Sequence, residues 1–306
     1  MTATTLHHPR RDNVRGGLTM LLAVGALSLL DAGMKSLSGA YPPLQLAGIR
    51  GMASLPFVLV WVWVTGGFGG LFRVRWPLHL VRGVLGILML CGFIYGVRHL
   101  PLSAAYSIFF VAPLLITAFA VPLLGERVGW RRWGAIAIGI SAVWYVMRPQ
   151  GEGLVLLPAV MLFLSAIAYA LSAITVRVLG RTDSTQSMVF WLMTSIAIVA
   201  TLLALPQWRP IQPGHWGIIA AMAVSGAVGQ WAITEAFRIG EASFIAPFEY
   251  SAMAWGVALD WVLWRTVPAA RTWIAAAVII ACGIYLMHRE RVESSAHLAD
   301  ATPPSA

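Results

Sequence analysis

The chain is dominated by a succession of apolar segments, each about as long as the stretch of helix that crosses a lipid bilayer. They follow one another from Gly16 to Met287 with only short polar connections. Hydrophobic residues make up 59% of the chain and charged residues 11%, whereas an average soluble domain has roughly 25% charged residues. A soluble fold could not bury so much apolar surface. We therefore predict an all-α membrane protein with about ten transmembrane helices.

Each expected span is a segment of around 20 apolar residues, the length needed to cross the hydrocarbon core of a bilayer. Turn residues separate these segments, for example Tyr41-Pro42-Pro43 and Arg148-Pro149. The spans are predicted at residues 16–36, 44–65, 78–97, 104–124, 133–147, 154–176, 186–205, 217–237, 244–264 and 272–287.

The positions of the arginines predict the orientation of these helices. With the N-terminus inside the cell, thirteen arginines fall in the inner segments and five in the outer ones. An excess of positive charge marks the cytoplasmic side of membrane proteins. We therefore expect residues 1–15 and 288–306 to be cytoplasmic tails. Basic residues before an apolar run are also typical of a signal peptide, but Asp31 and Lys35 within that run favour a retained first helix.

The second half of the chain repeats features of the first. A shift of 140 residues aligns polar and aromatic residues without gaps, pairing Arg98 with Arg238, Ser103 with Ser243, Trp133 with Trp273 and Tyr145 with Tyr285. We infer two related five-helix repeats, residues 16–149 and 150–287. Because five is an odd number, the second repeat would be inverted in the membrane relative to the first, as in many secondary transporters.

Several short motifs lie in the order and spacing of a known family. They are Asp31-Ala-Gly-Met-Lys35, Tyr41-Pro42, Arg50, Leu102-Ser103-Ala104-Ala105, Ala112-Pro113, Leu124-Gly125-Glu126-Arg127, Glu235-Ala236-Phe237-Arg238, Glu241-Ala242-Ser243, Ala246-Pro247-Phe248-Glu249-Tyr250 and the tryptophan-rich stretch 255–264. Over nearly its whole length the chain resembles the EamA-type members of the drug/metabolite transporter superfamily. One departure is Trp264-Arg265-Thr266, where the family usually has a Gly-Glu pair.

The resemblance implies a carrier in the bacterial inner membrane that moves small organic metabolites. It favours export of amino acids, including aromatic or hydrophobic ones. Similar opening helices occur in uptake systems for S-adenosylmethionine or riboflavin, so the alternative of an uptake carrier stays open. The expected partners are a small-molecule substrate and the lipid bilayer, with the protein acting as a monomer or weak dimer.

Three ionisable residues near the outer ends of the first two helices are candidates for gating or for an ion pair. Asp31 and Lys35 are four residues apart and share one face of the first helix, which allows a local pair. Arg50 lies about one turn into the second helix, where it can reach the interface or Asp31. The two interpretations are a structural pair and an occluding contact.

A substrate cavity is predicted near the middle of the membrane. Glu249 is central to it for two reasons. A proline two residues earlier frees a backbone carbonyl, and an acid at this depth in the membrane is energetically costly unless it is paired or hydrated. The alternative is a glutamate that only fixes packing. The candidate cavity residues are Tyr95, Tyr106, Tyr169, Trp191, Gln230, Trp231, Glu249, Tyr250 and Trp255.

Other functional classes fit the sequence less well. The net charge of +9 comes from single basic residues between apolar runs, so nucleic-acid binding is not expected. The histidines lie in the tails or near span ends, and no spacing typical of a metal site, nucleophile elbow or phosphate-binding loop occurs. We expect neither an enzyme nor a cofactor or metal. A membrane-embedded enzyme and a channel are the alternatives of another class.

Overall fold

The computed structural model describes residues 9–65, 68–125, 130–147, 156–180, 182–239, 246–270, 272–278, 280–282 and 284–285. Every regular element within these ranges is helical, which confirms the all-α prediction. The α-helices are α1 (Pro9–Leu37), α2 (Pro43–Thr65), α3 (Trp76–His99), α4 (Leu102–Phe109), α5 (Ala112–Leu124), α6 (Trp130–Met147), α7 (Leu156–Leu179), α8 (Thr185–Ser195), α9 (Thr201–Ala204), α10 (Trp216–Ile239) and α11 (Ala252–Trp264).

Seven helical segments of the described chain are long and apolar enough to cross a membrane. They are Val14–Leu37, Pro43–Thr65, Trp76–His99, Leu102–Leu124, Leu156–Val176, Thr185–Gln207 and Pro213–Ile233. Shorter apolar helices are Trp133–Ala142, Thr272–Cys282 and α11. The protein is therefore a multi-pass membrane protein, while the count of ten spans stays a prediction.

Three of the predicted spans are not uniform helices. The span expected at 104–124 divides into α4 and α5, which meet at Phe110 and Val111 just before Pro113. The span expected at 186–205 contains a turn of π-helix at Ile196–Ala200, between α8 and α9. Within the span expected at 244–264, the described residues include a 3-10 turn, Ala246–Ser251, before α11. Proline and π-turns explain such irregularity, because each interrupts the regular hydrogen bonds of an α-helix.

Two helix pairs form the most extensive contacts in the bundle, α1 with α10 and α3 with α7. Glycine allows both approaches. A Cβ at Gly92 of α3 would lie 2.8 Å from the carbonyl oxygen of Met161 on α7, and one at Gly229 of α10 would lie 2.7 Å from the side chain of Leu27 on α1. Small residues permit such close helix packing where the surrounding lipid is as apolar as the side chains.

Side-chain contacts join the first half of the chain to the second at both ends of the bundle. At one end, the Tyr41 hydroxyl lies 2.7 Å from His215 Nδ1. At the other, His79 Nε2 lies 2.8 Å from Asp183 Oδ2. We call these the Tyr41 end and the Asp183 end.

Helix α2 packs against the π-turn through Gly51. A Cβ at this position would lie 2.6 Å from the backbone nitrogen of Ala197 and 2.8 Å from its Cα. Backbone atoms move less readily than the tip of a side chain, so this contact leaves no room for a larger residue.

We expect Gly51→Ala to lower the apparent melting temperature of the purified protein, because the added methyl group meets backbone and overpacking costs about 1–3 kcal/mol. Gly134→Ala is the matched control, since a Cβ at Gly134 of α6 meets no other group within 4 Å. The control should melt at or above the parent temperature. Equal melting temperatures for the two variants would contradict the close packing of α2 on the π-turn.

Candidate functional site

A fully buried carboxylate joins three helices at the Tyr41 end. Asp260, in the last turns of α11, accepts a hydrogen bond of 2.9 Å from Lys35 Nζ of α1. It also accepts hydrogen bonds from the first residues of α4, at 3.0 Å from the Leu102 N–H, 2.9 Å from the Ser103 N–H and 2.8 Å from Ser103 Oγ. We call Lys35, Leu102, Ser103 and Asp260 the Asp260 network.

The Asp260 network balances its charges within a small volume. Lys35 carries a full positive charge, and the N-terminus of α4 adds the partial positive charge of a helix end. The Lys35 ammonium also lies 4.2 Å from the centre of the Trp264 ring, a cation–π contact. The carboxylate thus has both a counter-charge and several hydrogen-bond donors, which a buried ion needs.

The local ion pair expected between Asp31 and Lys35 is not the arrangement observed, because Lys35 turns to Asp260 on another helix. Asp31 instead accepts a hydrogen bond of 2.9 Å from the Tyr106 hydroxyl of α4. It also interacts electrostatically with Arg50 of α2. The two charged residues on one face of α1 therefore have two different sets of partners.

Six aromatic rings form a continuous cluster between the two halves of the chain. Neighbouring ring centres are 5.2–6.4 Å apart. The rings are those of Phe93, Tyr106, Phe109, Phe110, Tyr169 and Tyr250. Glu249 lies at the edge of this aromatic cluster, in the 3-10 turn before α11, and interacts electrostatically with Tyr169 and Tyr250. Four of the predicted cavity residues therefore lie together.

A cavity of about 270 Å³ opens between α2 and α10. One wall carries Arg50, and the other carries the predicted residues Gln230 and Trp231. Its polar and aromatic lining residues are Arg50, Ser54, Phe57, Trp61, Gln230 and Trp231. We call it the Arg50 cavity. Its size is close to the lower limit of about 300 Å³ for small-molecule sites.

Three predicted cavity residues lie elsewhere. Tyr95 lines a separate apolar groove of about 800 Å³ along α3 and α7. Trp191 lies towards the Asp183 end, where its indole N–H donates a 2.6 Å hydrogen bond to the carbonyl of Leu71. Trp255 packs its ring against Gly25 of α1 and is 40% exposed. These contacts make Trp191 and Trp255 packing residues in this conformation.

The described site contains two features of a carrier. Charged groups from different helices are buried close together, and a cavity with Arg50 in its lining lies between α2 and α10. Sequence reasoning missed Asp260 because it lies in a stretch interpreted as a tryptophan-rich helix. An acid inside an apolar span is itself a signal, since placing it there costs at least ~2.5 kcal/mol.

The comparison with known proteins decides the family. The model of the EamA-like transporter family matches residues 14–148 and again residues 156–289. The chain belongs to this family. The expected membership of the drug/metabolite transporter superfamily is thereby confirmed, and so is the expectation that the protein is not an enzyme.

Individual relatives of this EamA-like protein are transporters of different compounds. It is 27% identical over 281 residues to the pseudopaline exporter CntI of Pseudomonas aeruginosa, covering 90% of this chain and 96% of the relative. It is 26% identical to a riboflavin transporter of Vibrio cholerae, covering 94% and 96%. It is 24% identical to an S-adenosylmethionine uptake transporter of Rickettsia prowazekii, covering 90% and 93%.

The fold of this EamA-like protein also matches a solved structure. A crystal structure with 20% sequence identity superposes with a TM-score of 0.62 and covers 93% of this chain and 99% of that one. At this identity the likeness concerns the fold alone.

The buried pair at the Asp183 end is the counterpart of the Asp260 network. The side chains of His79 and Asp183 are 3% and 2% exposed. Burial opposes ionisation of Asp183, but hydrogen bonds from Thr182, His79 and the Arg75 N–H outweigh it and hold the pKa of this carboxyl below its usual value. The pair joins the start of α3 to the loop before α8.

We expect Asp183→Asn to lower the melting temperature at pH 7. The difference in melting temperature between parent and variant should become smaller as the pH falls. A carboxyl whose pKa is lowered by folding adds stability above its unfolded pKa of about 3.9, and that stability is lost as the pH falls through the folded value. Melting curves of parent and variant between pH 3 and 7 should therefore converge below about pH 4. A difference that does not change with pH would show that the carboxylate charge contributes nothing.

Proposed function

We propose that this protein is a secondary transporter that exports small organic metabolites, with amino acids as the leading class, across the bacterial inner membrane by alternating access. The observation that carries the proposal is the Asp260 network. It connects α1 and α4, from the first family match, to α11, from the second, at one end of the bundle. A few polar contacts that can separate and re-form suit a gate between two halves.

The proposed topology has ten spans in two inverted five-helix repeats. Seven long helices and three shorter apolar ones support the number. The double family match supports the repeat, and an odd number of spans in each repeat requires the inversion. The arginine distribution supports cytoplasmic termini, which makes the Tyr41 end periplasmic.

In this orientation the Asp260 network closes the periplasmic side. Opening requires Lys35 to separate from Asp260. It also requires the N–H groups at the start of α4 to separate from the Asp260 carboxylate. Asp31 lies one helical turn from Lys35 and offers it a second partner, so the lysine need not become an unpaired charge. This exchange links the gate to Arg50, because Arg50 is the present counter-charge of Asp31.

Glu249 is proposed to couple transport to a cationic group of the substrate or to a proton. It lies between the aromatic cluster and an irregular backbone segment, and exposed backbone at membrane depth is tolerated only beside protein or water. We propose that this carboxylate meets the cationic group or the proton during transport.

Uptake of a metabolite is the second candidate function. It is favoured by the relative named as an S-adenosylmethionine uptake transporter, whose 24% sequence identity to this chain is close to the 27% of the exporter. The direction of net transport separates the two candidates.

The test is flux into proteoliposomes across a panel of amino acids, nucleosides and vitamins, with and without a proton gradient. We expect saturable transport of at least one amino acid. Glu249→Gln should reduce its rate by roughly 10–100-fold, since an interaction with a charged group contributes about 1.5–3 kcal/mol. Glu235→Gln is the matched control in α10 and should transport at the parent rate.

Melting temperature separates the two interpretations of Glu249. A glutamine variant that melts like the parent but does not transport supports the coupling role. Normal, pH-responsive flux in that variant would remove Glu249 from the mechanism. Non-saturable flux of every solute would indicate a channel and contradict the proposal of a carrier.

A further inference from the structure

Arg50 has more hydrogen-bond donors than the described protein groups use. Its guanidinium has five N–H donors. Within the described part of the chain, one terminal nitrogen of Arg50 donates to the sulfur of Met34 at 4.0 Å. Asp31 supplies an electrostatic counter-charge, but one of its oxygens already accepts the Tyr106 hydroxyl. The cation therefore lines the Arg50 cavity with capacity for another acceptor.

The Arg50 cavity has a charged end and an aromatic end. Arg50 and Trp61 both lie on α2 and both line it. Trp61 follows Arg50 by eleven positions, which corresponds to ~16 Å of helix. Trp231 lies opposite on α10 and is 53% exposed, so the aromatic end opens to the surface of the bundle.

The wall between these two ends is largely apolar. It includes Leu30, Val58 and Met193. Gly226 also lines the cavity, and a Cβ there would be in ordinary van der Waals contact with Leu30 and Ser54, at 3.6–3.7 Å, so a larger side chain at this position takes up room in the cavity. A ligand that fits is elongated, with one anionic end and a flat apolar body.

We propose that the Arg50 cavity binds amphipathic carboxylates, with Arg50 holding the carboxylate and Trp61 and Trp231 contacting the apolar body. This inference rests on the proposed transport function and names the chemical class that the carrier selects. Arginine forms two parallel hydrogen bonds to a carboxylate, a geometry that neither lysine nor glutamine reproduces. In a membrane interior such a bond is favoured because it gives a costly charge a partner.

The same charges predict which amphipathic compounds bind more weakly. Replacing a ligand's carboxylate by an amide removes the anion and presents a donor group to the guanidinium. Losing a charge-assisted hydrogen bond reduces affinity by about 10–100-fold. Selection should therefore follow the carboxylate rather than the size of the ligand.

Binding to the purified protein in detergent tests the proposal with two pairs of probes that differ at the carboxyl group alone. The pairs are 3-phenylpropionate with 3-phenylpropionamide and L-phenylalanine with L-phenylalaninamide. In at least one pair the acid should bind about 10-fold or more tightly than the amide. Arg50→Gln should remove that preference.

Arg82→Gln is the matched control, because Arg82 is another arginine within a span but donates to the carbonyl of Met188 outside the cavity. It should keep the preference for the acid. If Arg50→Gln does not fold, Gly226→Val provides a second test, since it narrows the cavity from the opposite wall and should weaken binding of the acid.

Equal affinity for acid and amide in both pairs would overturn the proposal, as would an unchanged preference in Arg50→Gln. Where Arg50→Gln does not fold, undiminished binding of the acid by Gly226→Val would overturn it. Flux of some other metabolite alongside that result would leave the transport function intact. Binding of the acids through Arg50 without flux of any solute would instead contradict the transport function and leave the carboxylate site standing.

Discussion

The buried ion pair between Lys35 and Asp260 is the interaction on which the arrangement of the two halves depends. It lies within an apolar bundle, where each charge alone would be costly. Removing one partner of a buried pair costs about 3–5 kcal/mol, because the other charge is left uncompensated. The first turn of α4 depends on the same carboxylate, because its buried N–H groups have no acceptor within the helix. In the proposed mechanism the Tyr41 end therefore stays closed until another set of partners is available.

The position of Asp31 supplies such partners. It lies one turn from Lys35 on the same helix and shares electrostatic contact with Arg50, which lines the cavity. In the proposed mechanism a substrate carboxylate binds Arg50 and replaces Asp31 as the partner of its guanidinium. Asp31 can then pair with Lys35, which leaves Asp260. In this proposal a short chain of charges connects the substrate to the gate.

The sequence predicted the helical class and the family because apolar length and motif order depend on the chain alone. It placed Tyr106, Tyr169, Glu249 and Tyr250 in a substrate cavity. The structure brings the four together, but in an aromatic cluster that lines neither the Arg50 cavity nor the groove along α3 and α7. It did not predict the partner of Lys35, since Asp260 is 225 residues away and only tertiary packing brings the two together. Trp191 looked like a cavity residue for a similar reason, because its partner at Leu71 lies in a distant loop.

The most direct test of the account is the distance across the Asp260 network in a working transporter. Nitroxide labels at Gly39 and Val267 flank it, and both positions are exposed. Cys91 and Cys282, the two native cysteines, are replaced by serine. Pulsed electron resonance in liposomes should give one short distance in the parent and an added longer one with a transported substrate or in Asp260→Asn. A single unchanged distance in all three samples, with transport active, would contradict gating by this network.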